Sequence, residues 1–177
     1  MSTKFALLEA ASKVIVAKGI NRLTLEAVAQ EANVSKGGLL YHYATKDELI
    51  KAMNVHVIES FRNLIDEHVS SGCSYHQAYL LATLDSLKEN TELLDVATSL
   101  LAAIATNREV LNLWREEYRF LNDQLSKEDY KQEYSLLVKS VCDGLWFAKL
   151  FDFGHIDSDD EQKIIGHLLD LLEEDQL

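Results

Sequence analysis

The sequence predicts an all-α protein of about nine helices, in which a long fourth helix joins an N-terminal three-helix head to a C-terminal helical bundle. The 177-residue chain contains no proline and seven glycines, so few positions interrupt a helix. Leu, Ala, Glu and Lys are abundant, and these residues favour helices. Apolar residues recur at helical spacing between polar residues of the kind that cap helices.

The composition also narrows the class of protein. Hydrophobic residues make up 47% of the chain, which is enough for a substantial core. No window holds the roughly 18 consecutive apolar residues of a transmembrane helix, and the N-terminus lacks the pattern of a signal peptide. Cys73 and Cys142 are far apart and lack metal-ligand spacing. We therefore expect a cytoplasmic protein with reduced thiols and no membrane partner.

Charge is divided unevenly along the chain. The net charge is −12 overall, but residues 1–46 carry +3 and residues 47–177 carry −15. A polyanion would attract the positively charged head and repel the negatively charged body, so the molecule would approach it head first. The division predicts two domains, 1–46 and 47–177, of which only the first would contact nucleic acid.

The first helix is expected at about residues 4–18, followed by Gly19 as its C-terminal stop. Ser12 falls on its apolar stripe, where a small side chain allows a close helix contact. The stripe itself consists of Phe5, Leu8, Ala11, Ile15 and Val16.

Three further helix starts follow within residues 24–49. Thr24 and Ser35 are N-cap candidates for two short helices, and Asn33 tolerates the left-handed conformation that ends the first of them. Thr45 and Glu48 have capping-box spacing at the start of the fourth helix. Two short helices separated by a turn of about three residues predict a helix-turn-helix.

The second helix of this motif opens with Lys36, Gly37 and Gly38. Without a bulky side chain after the lysine, a base edge can approach, and Lys36 can donate to guanine acceptors or to phosphate. Tyr41 and His42 follow on the side where a DNA backbone would run. A solvated, ordinary short helix is the alternative interpretation.

The stretch VSKGGLLYHYATKDEL, residues 34–49, resembles the recognition-helix signature of TetR-type bacterial transcriptional regulators. Asn33 stands where the family usually has Gly, and Gly38 and Leu40 stand where many members have Thr and Tyr. A tyrosine contact to phosphate, common in the family, would therefore come from Tyr41 or be absent. The resemblance covers the first quarter to third of the chain and runs through Val34, Ser35, Lys36, Gly37, Leu39, His42, Tyr43, Thr45, Lys46, Asp47, Glu48 and Leu49.

Residues and resemblance together predict how the head contacts double-stranded DNA. Lys36 is the expected base reader, and the two glycines after it allow close approach. Four residues are expected to clamp phosphates, and Lys46 would be helped by backbone amides at the start of the fourth helix. Tyr43 is expected to pack inside the head. The predicted DNA-binding residues are Thr24, Ser35, Lys36, Gly37, Gly38, Tyr41, His42 and Lys46, with Thr24, Tyr41, His42 and Lys46 as the clamps.

The body begins with the fourth helix, expected from Thr45 to about Val69 and on the order of 35 Å long. A fifth helix at about residues 75–88 is capped by Ser74. The next, at residues 91–107, is apolar nearly all round and is expected to be central. Helices are also expected at about residues 108–124, at 126–151 with its cap in Ser126 to Asp129, and at 159–173 with its cap in Ser158 to Glu161.

The body also holds candidates for ligand binding and dimerisation. Taken one by one, the aromatic residues of the body are better explained by an ordinary core, whereas the resemblance implies an effector pocket that would need them. The acidic body slightly favours a cationic or neutral ligand. The candidate effector residues are Phe61, Tyr79, Trp114, Tyr118 and Trp146.

The last two predicted helices carry more apolar surface than one core needs, which indicates self-association. The resemblance implies a homodimer through a four-helix bundle made of these helices. The candidate dimer residues are Leu145, Leu150, Phe151, Ile165, Leu168 and Leu172.

Motifs for other chemistry are missing from the sequence. The six histidines form no metal motif, residues 157–161 lack the calcium-loop pattern, and no nucleophile–base set supports an enzyme, so we expect no metal or cofactor. We predict a homodimeric, sequence-specific transcriptional regulator. The favoured form is a repressor that a small-molecule effector releases from a near-palindromic operator. The alternative is a helical protein-interaction module whose head has lost specific DNA binding.

Overall fold

The computed structural model describes residues 3–88, 103, 108–151 and 156–174. In these ranges the chain forms eight α-helices and no strand, so the predicted all-α fold is confirmed. Short 3-10 helices also occur at Ile20–Arg22 and Arg108–Val110. The α-helices are α1 (Thr3–Lys18), α2 (Leu25–Glu31), α3 (Lys36–His42), α4 (Lys46–Ser70), α5 (Tyr75–Leu87), α6 (Leu111–Leu125), α7 (Gln132–Phe151) and α8 (Ser158–Glu174).

Local signals account for several helix ends. Gly19, with φ of +79°, ends α1, and its N–H donates to the Ile15 carbonyl at 2.8 Å. Asn33 follows α2 with φ of +54°, the left-handed conformation predicted for it. Ser74 caps α5 in a capping box with Gln77. These bonds join residues at most four positions apart, so the local sequence is sufficient to predict these helix ends.

The chain packs as two compact units. The head unit consists of residues 1–58 and 94–115, and the body unit consists of residues 59–93 and 116–177. The division between the units therefore falls inside α4 and inside α6. The boundary predicted at residue 46 divides the chain by function rather than by packing, and it stays a prediction.

The head unit is built on α1, which packs against α2, while α2 packs against α3. Leu7, Val28 and Leu39 are fully buried in its core. Ser12 is buried as expected, whereas Val16 is 54% exposed, which corrects its place on the apolar stripe of α1. Leu7 and Val14 are buried instead, because the buried face of α1 is rotated slightly about the helix axis relative to the predicted face.

The body unit is centred on α5, which packs against α7 and α8. Its core includes Leu80, Leu87, Cys142 and other apolar residues of these helices. Within this unit, the Arg62 side chain of α4 reaches α6. Its Nε donates to Glu117 at 3.0 Å, and its guanidinium carbon lies 4.2 Å from the centre of the Phe120 ring.

Two predicted helix starts were wrong. Helix α7 begins at Gln132 rather than near Ser126, because the Glu128 carboxylate instead accepts hydrogen bonds from the start of α5. The cap of α8 is Asp157 rather than Ser158, since the Asp160 N–H donates to Asp157 Oδ1 at 2.9 Å. The helix predicted at residues 91–107 lies outside the described residues, apart from Ala103.

Among the described helices, none has both the length and the apolar character needed to cross a bilayer.

Candidate nucleic-acid interface

The two short helices of the head are held by the predicted caps. Thr24 Oγ1 accepts from the Ala27 N–H at 3.1 Å, and Ser35 Oγ accepts from the Gly38 N–H at 3.0 Å. Between them the Val34 N–H donates to the Ala29 carbonyl at 2.9 Å. The turn therefore satisfies backbone groups at the end of α2 before α3 begins, as a helix-turn-helix requires.

One residue anchors α3 while the opposite side of the helix stays open. Leu39 is fully buried, and Tyr43, directly after the helix, is 7% exposed and packs in the head as predicted. The side chain of Tyr41 is 86% exposed, and Lys36 is exposed as well. This division leaves the start of α3 accessible to a large partner.

The two glycines of α3 leave the surface beside Lys36 without projecting side chains. A Cβ atom at Gly38 would lie 3.3 Å from Ser35 Oγ, which is the capping hydroxyl, so a side chain there would press on the cap. At Gly37 the same atom would lie 4.0 Å from that oxygen, which is an ordinary van der Waals contact without crowding. Gly37 therefore widens the approach, and Gly38 also protects the geometry of the cap.

Lys36 forms an ion pair with Glu26 of α2. The Lys36 side chain is 57% exposed and that of Glu26 is 61% exposed, so the pair lies on the surface. A hydrogen bond from the Lys36 ammonium lowers the pKa of the Glu26 carboxyl. Sequence reasoning did not select Glu26, because its partner lies ten positions along the chain on the next helix and no helical spacing links them.

The remaining phosphate-clamp candidates surround α3. The ring of Tyr41 meets that of His42 edge to face, with 5.1 Å between centroids. Lys46 is the first residue of α4, where Thr45 Oγ1 accepts from the Glu48 N–H at 3.1 Å. Glu48 accepts from the Ala44 N–H at 2.8 Å instead of from Thr45, so the predicted capping box is shifted by one residue.

Three of the five candidate effector residues meet in the body unit. The Phe61 ring packs edge to face against Tyr79 and Trp146, with centroid distances of 5.6 and 6.0 Å. Tyr79 is 4% exposed, and its burial raises the pKa of its hydroxyl well above the ordinary value. These rings form an aromatic cluster, defined as Phe61, Tyr79 and Trp146.

The other two effector candidates lie elsewhere. Tyr118 is 39% exposed, and its hydroxyl donates to Asp143 Oδ1 at 2.6 Å in the body unit. Trp114 belongs to the head unit, where its indole N–H donates to Asn54 Oδ1 at 2.7 Å. The Asn54 amide in turn donates to the Ile50 carbonyl at 2.8 Å, so this buried polar group is paired on both sides.

The candidate dimer residues are mostly internal to one chain. Leu145, Ile165, Leu168 and Leu172 are at most 6% exposed in the body core, which leaves them almost no surface to offer a partner. The side chains of Leu150 and Phe151 lie outside the described residues. Sequence reasoning missed an exposed stripe on α7, which we call the α7 stripe and which consists of Leu136, Leu137, Ser140, Gly144 and Phe147.

No group of three His, Cys, Asp or Glu side chains within the described ranges is arranged to hold a metal ion.

Comparison with known proteins assigns the two parts of the chain. Residues 7–53 match the family model described as "Bacterial regulatory proteins, tetR family". Residues 74–173, more than half of the chain, match the model described as "Tetracyclin repressor-like, C-terminal domain". The second match covers most of the body, which the sequence resemblance to TetR-type regulators did not reach.

Relatives and solved structures agree with these matches. The chain is 26% identical over 133 residues to the "Probable acrEF/envCD operon repressor" of Escherichia coli K12, covering 75% of this chain but 56% of that relative. It is 25% identical to the HTH-type transcriptional regulator BetI of Burkholderia thailandensis, covering 94% of this chain and 91% of BetI.

Among solved structures, a TetR-family member from Streptomyces coelicolor A3 has a TM-score of 0.70 at 22% identity, covering 95% of this chain and 98% of that one. The multidrug binding protein EbrR, complexed with malachite green, has a TM-score of 0.68 at 20% identity, covering 93% of this chain and 96% of EbrR. At these identities the structures show a shared fold. With the family matches to both of its parts, the chain belongs to the TetR family of bacterial regulatory proteins.

Proposed function

We propose that this chain is a sequence-specific DNA-binding transcriptional regulator whose recognition element is α3. The exposed Lys36 at the start of that helix, followed by two glycines and anchored by the buried Leu39, carries the proposal. Membership of a family of bacterial regulators supports it, as do relatives named as a repressor and as a transcriptional regulator.

In this proposal the start of α3 enters the major groove and Lys36 donates to a guanine or a nearby phosphate. Thr24 Oγ1 already accepts from the Ala27 N–H, so its own O–H is left to donate to a phosphate oxygen. The exposed Tyr41 hydroxyl, His42 and Lys46 would add contacts around the same strand. The positive charge of residues 1–46 would attract the head to the DNA, whereas the negative charge of residues 47–177 would be repelled by the phosphates.

Two such heads, related by a two-fold axis, would read a near-palindromic operator with half-sites about 34 Å apart. We place the homodimer interface on the α7 stripe together with α8. Leu136 and Leu137 are 52% and 41% exposed in the single chain, and the small Ser140 and Gly144 would let a partner helix approach closely. Association through such a face would cover apolar surface that a single chain leaves in water.

We further propose that the regulator represses transcription in the cytoplasm until a small molecule binds the body. EbrR is a multidrug binding protein with structures containing malachite green and ethidium, and its fold is similar. The aromatic cluster is the corresponding candidate site here, since its rings suit a flat apolar ligand. To empty the operator almost fully, such a ligand must prefer the released conformation by about 10⁴-fold, or roughly 5.5 kcal/mol.

The test is fluorescence anisotropy against duplexes tiled upstream of the gene that encodes the chain, with random DNA as competitor and several salt concentrations. We expect saturable binding to one near-palindromic duplex, two protomers per duplex and an affinity that falls steeply with salt. Malachite green, added to the preformed complex and compared with its effect on the free duplex, then tests release. Weak binding that is equal for random DNA would contradict the proposal and favour the protein-interaction module instead.

A Lys36→Ala variant tests the recognition helix within the same assay. We expect it to cost about 1–3 kcal/mol of operator binding and to relax specificity at one position, because the lysine donates to a base edge. Lys13→Ala is the matched control, since Lys13 is also exposed but lies on α1. Equal losses for both variants would show that Lys36 contributes only general positive charge.

A further inference from the structure

We infer that Glu26 and Lys36 act as one base-reading pair, specific for a G·C base pair in each half-site. This inference rests on the proposed function. The Glu26 carboxylate lies in the first turn of α2 and contacts the ammonium of Lys36, the first residue of α3. Their side chains remain 61% and 57% exposed, so a hydrogen-bond acceptor and a donor stand side by side on the surface proposed to face DNA.

The pair is complementary to the major-groove edge of G·C. Guanine presents the acceptors N7 and O6, and the amino group N4 of the cytosine paired with it presents a donor next to O6. Lys36 can donate to the two adjacent guanine acceptors while Glu26 accepts from cytosine N4. An A·T pair lacks this order, because its donor N6 lies between the acceptors N7 and O4. The mutual contact of the two side chains holds each in position before DNA binds, which limits the conformational entropy lost on binding.

Besides contacting Lys36, the Glu26 carboxylate accepts a hydrogen bond from its own backbone N–H in the first turn of α2, where an acidic side chain favours the helix modestly. The hydroxyl of Thr24 caps α2 and that of Ser35 caps α3, so neither helix needs the Glu26 side chain as its cap. An exposed ion pair contributes little to stability. A carboxylate that faces a polyanion is repelled unless it accepts from a donor, and in the major groove the donors are amino groups of the bases.

Selection from a pool of duplexes randomised over both half-sites tests the pair, using the full chain, Glu26→Ala and Glu31→Ala. Glu31 is an exposed glutamate at the other end of α2, so the control removes the same charge from the same helix. We expect the unsubstituted protein to prefer G·C over A·T at one position of each half-site by about tenfold. Glu26→Ala should reduce that preference, because only the Lys36 contact to guanine remains, whereas Glu31→Ala should keep it in full.

Two results would overturn the inference while leaving the proposed function intact. In one, Glu26→Ala selects the same sequence as the unsubstituted protein with the same preference. In the other, Glu26→Ala binds all duplexes more tightly without changing their order, which would make the carboxylate only a competitor for Lys36. If the unsubstituted protein selects no sequence at all, the proposed function itself fails. Circular dichroism of both variants checks that the head remains folded.

Discussion

Single hydroxyl groups cap each short helix of the head, and the proposed function gives them a second role in contacting phosphate. Thr24 and Ser35 each accept one backbone N–H, at 3.1 and 3.0 Å, and each keeps a hydrogen that is available to a phosphate. The cap fixes the side chain in one position, so a later phosphate contact loses less conformational entropy. A short helix such as α3 depends on its cap, because seven residues are too few for independent stability.

The two cysteines should differ sharply in reactivity. Cys142 is fully buried in the body core, and this burial raises the pKa of its thiol to about 12, whereas Cys73 is partly exposed. Because the thiolate is the reactive form, we expect a chromogenic disulfide reagent at pH 8 to label one thiol per native chain and two in urea. Because the Cys142 pKa is higher in the folded chain, its contribution to stability is fully present below pH 9.0, the ordinary pKa of a thiol. Above that pH the thiol of the unfolded chain loses its proton first, so the contribution is lost as the pH rises toward about 12.

Rapid labelling of two thiols in the native protein would contradict this description of the body core. Cys73→Ser is the control, since it should abolish the fast reaction without changing the urea midpoint.

At the scale of residues, the sequence was informative for many partners that are close along the chain, although the bonds of Asp157 with Asp160 and of Glu48 with Ala44 were missed. The caps at Thr24, Ser35 and Ser74 and the left-handed Asn33 follow from residues within four positions. The ion pair of Glu26 and Lys36 could not be read in this way, because it depends on the crossing of α2 and α3. Trp114 shows the same limit, since its pairing with Asn54 spans sixty positions.

At the scale of helices, the start of α5 is held by several hydrogen bonds to other parts of the body unit. One Glu128 oxygen accepts from the Tyr75 N–H, and the other accepts from the His76 N–H at 3.1 Å and lies 2.6 Å from His76 Nδ1. The His76 ring is fully buried, and its Nε2 lies 2.8 Å from Ser135 Oγ of α7. This chain of bonds joins α5, the segment before α7, and α7 itself.

Glu128→Ala should therefore destabilise the protein by about 3 kcal/mol, because the buried His76 ring and two backbone N–H groups would lose a charged acceptor. Urea denaturation followed by far-UV circular dichroism measures the change. Glu133→Ala is the matched control, since Glu133 is an exposed glutamate in the first turn of α7. A loss no larger than that of the control would show that water replaces the carboxylate at little cost.

The same carboxylate explains why one helix start was mispredicted. Ser126 to Asp129 has the spacing of a capping box, and the local pattern alone cannot distinguish a cap for the next helix from another use of Glu128. Its partners lie more than fifty positions earlier, at the start of α5. Helical periodicity found the eight described helices, but tertiary bonding decided where α7 begins.

At the scale of the whole molecule, the proposed mechanism needs two copies of the chain. One head would offer one short helix to DNA, and the net charge of −15 on residues 47–177 opposes its approach. Joining two heads turns the second contact into an intramolecular step, which raises affinity without any new type of contact. Under the proposed function, we therefore expect operator binding to depend on dimerisation.

Gly144→Leu tests the proposed dimer and its link to DNA binding. A Cβ atom at Gly144 meets nothing within 4 Å in the single chain, and leucine favours a helix by roughly 1 kcal/mol over glycine, so the protomer should fold at least as well. A partner helix packed on the α7 stripe would be pushed away by the larger side chain. We expect sedimentation velocity to show dissociation at concentrations where the unsubstituted protein is dimeric, and operator affinity to fall at least about tenfold.

Glu67→Leu is the control for that experiment, because it adds the same apolar side chain at an exposed position of α4. It should leave both the dimer and operator binding unchanged. If the Gly144→Leu protein stays dimeric and binds DNA normally, the dimer interface does not lie on the α7 stripe. A monomer that still binds the full operator with unchanged affinity would be the more serious contradiction, because it would show that the two heads do not need to be joined.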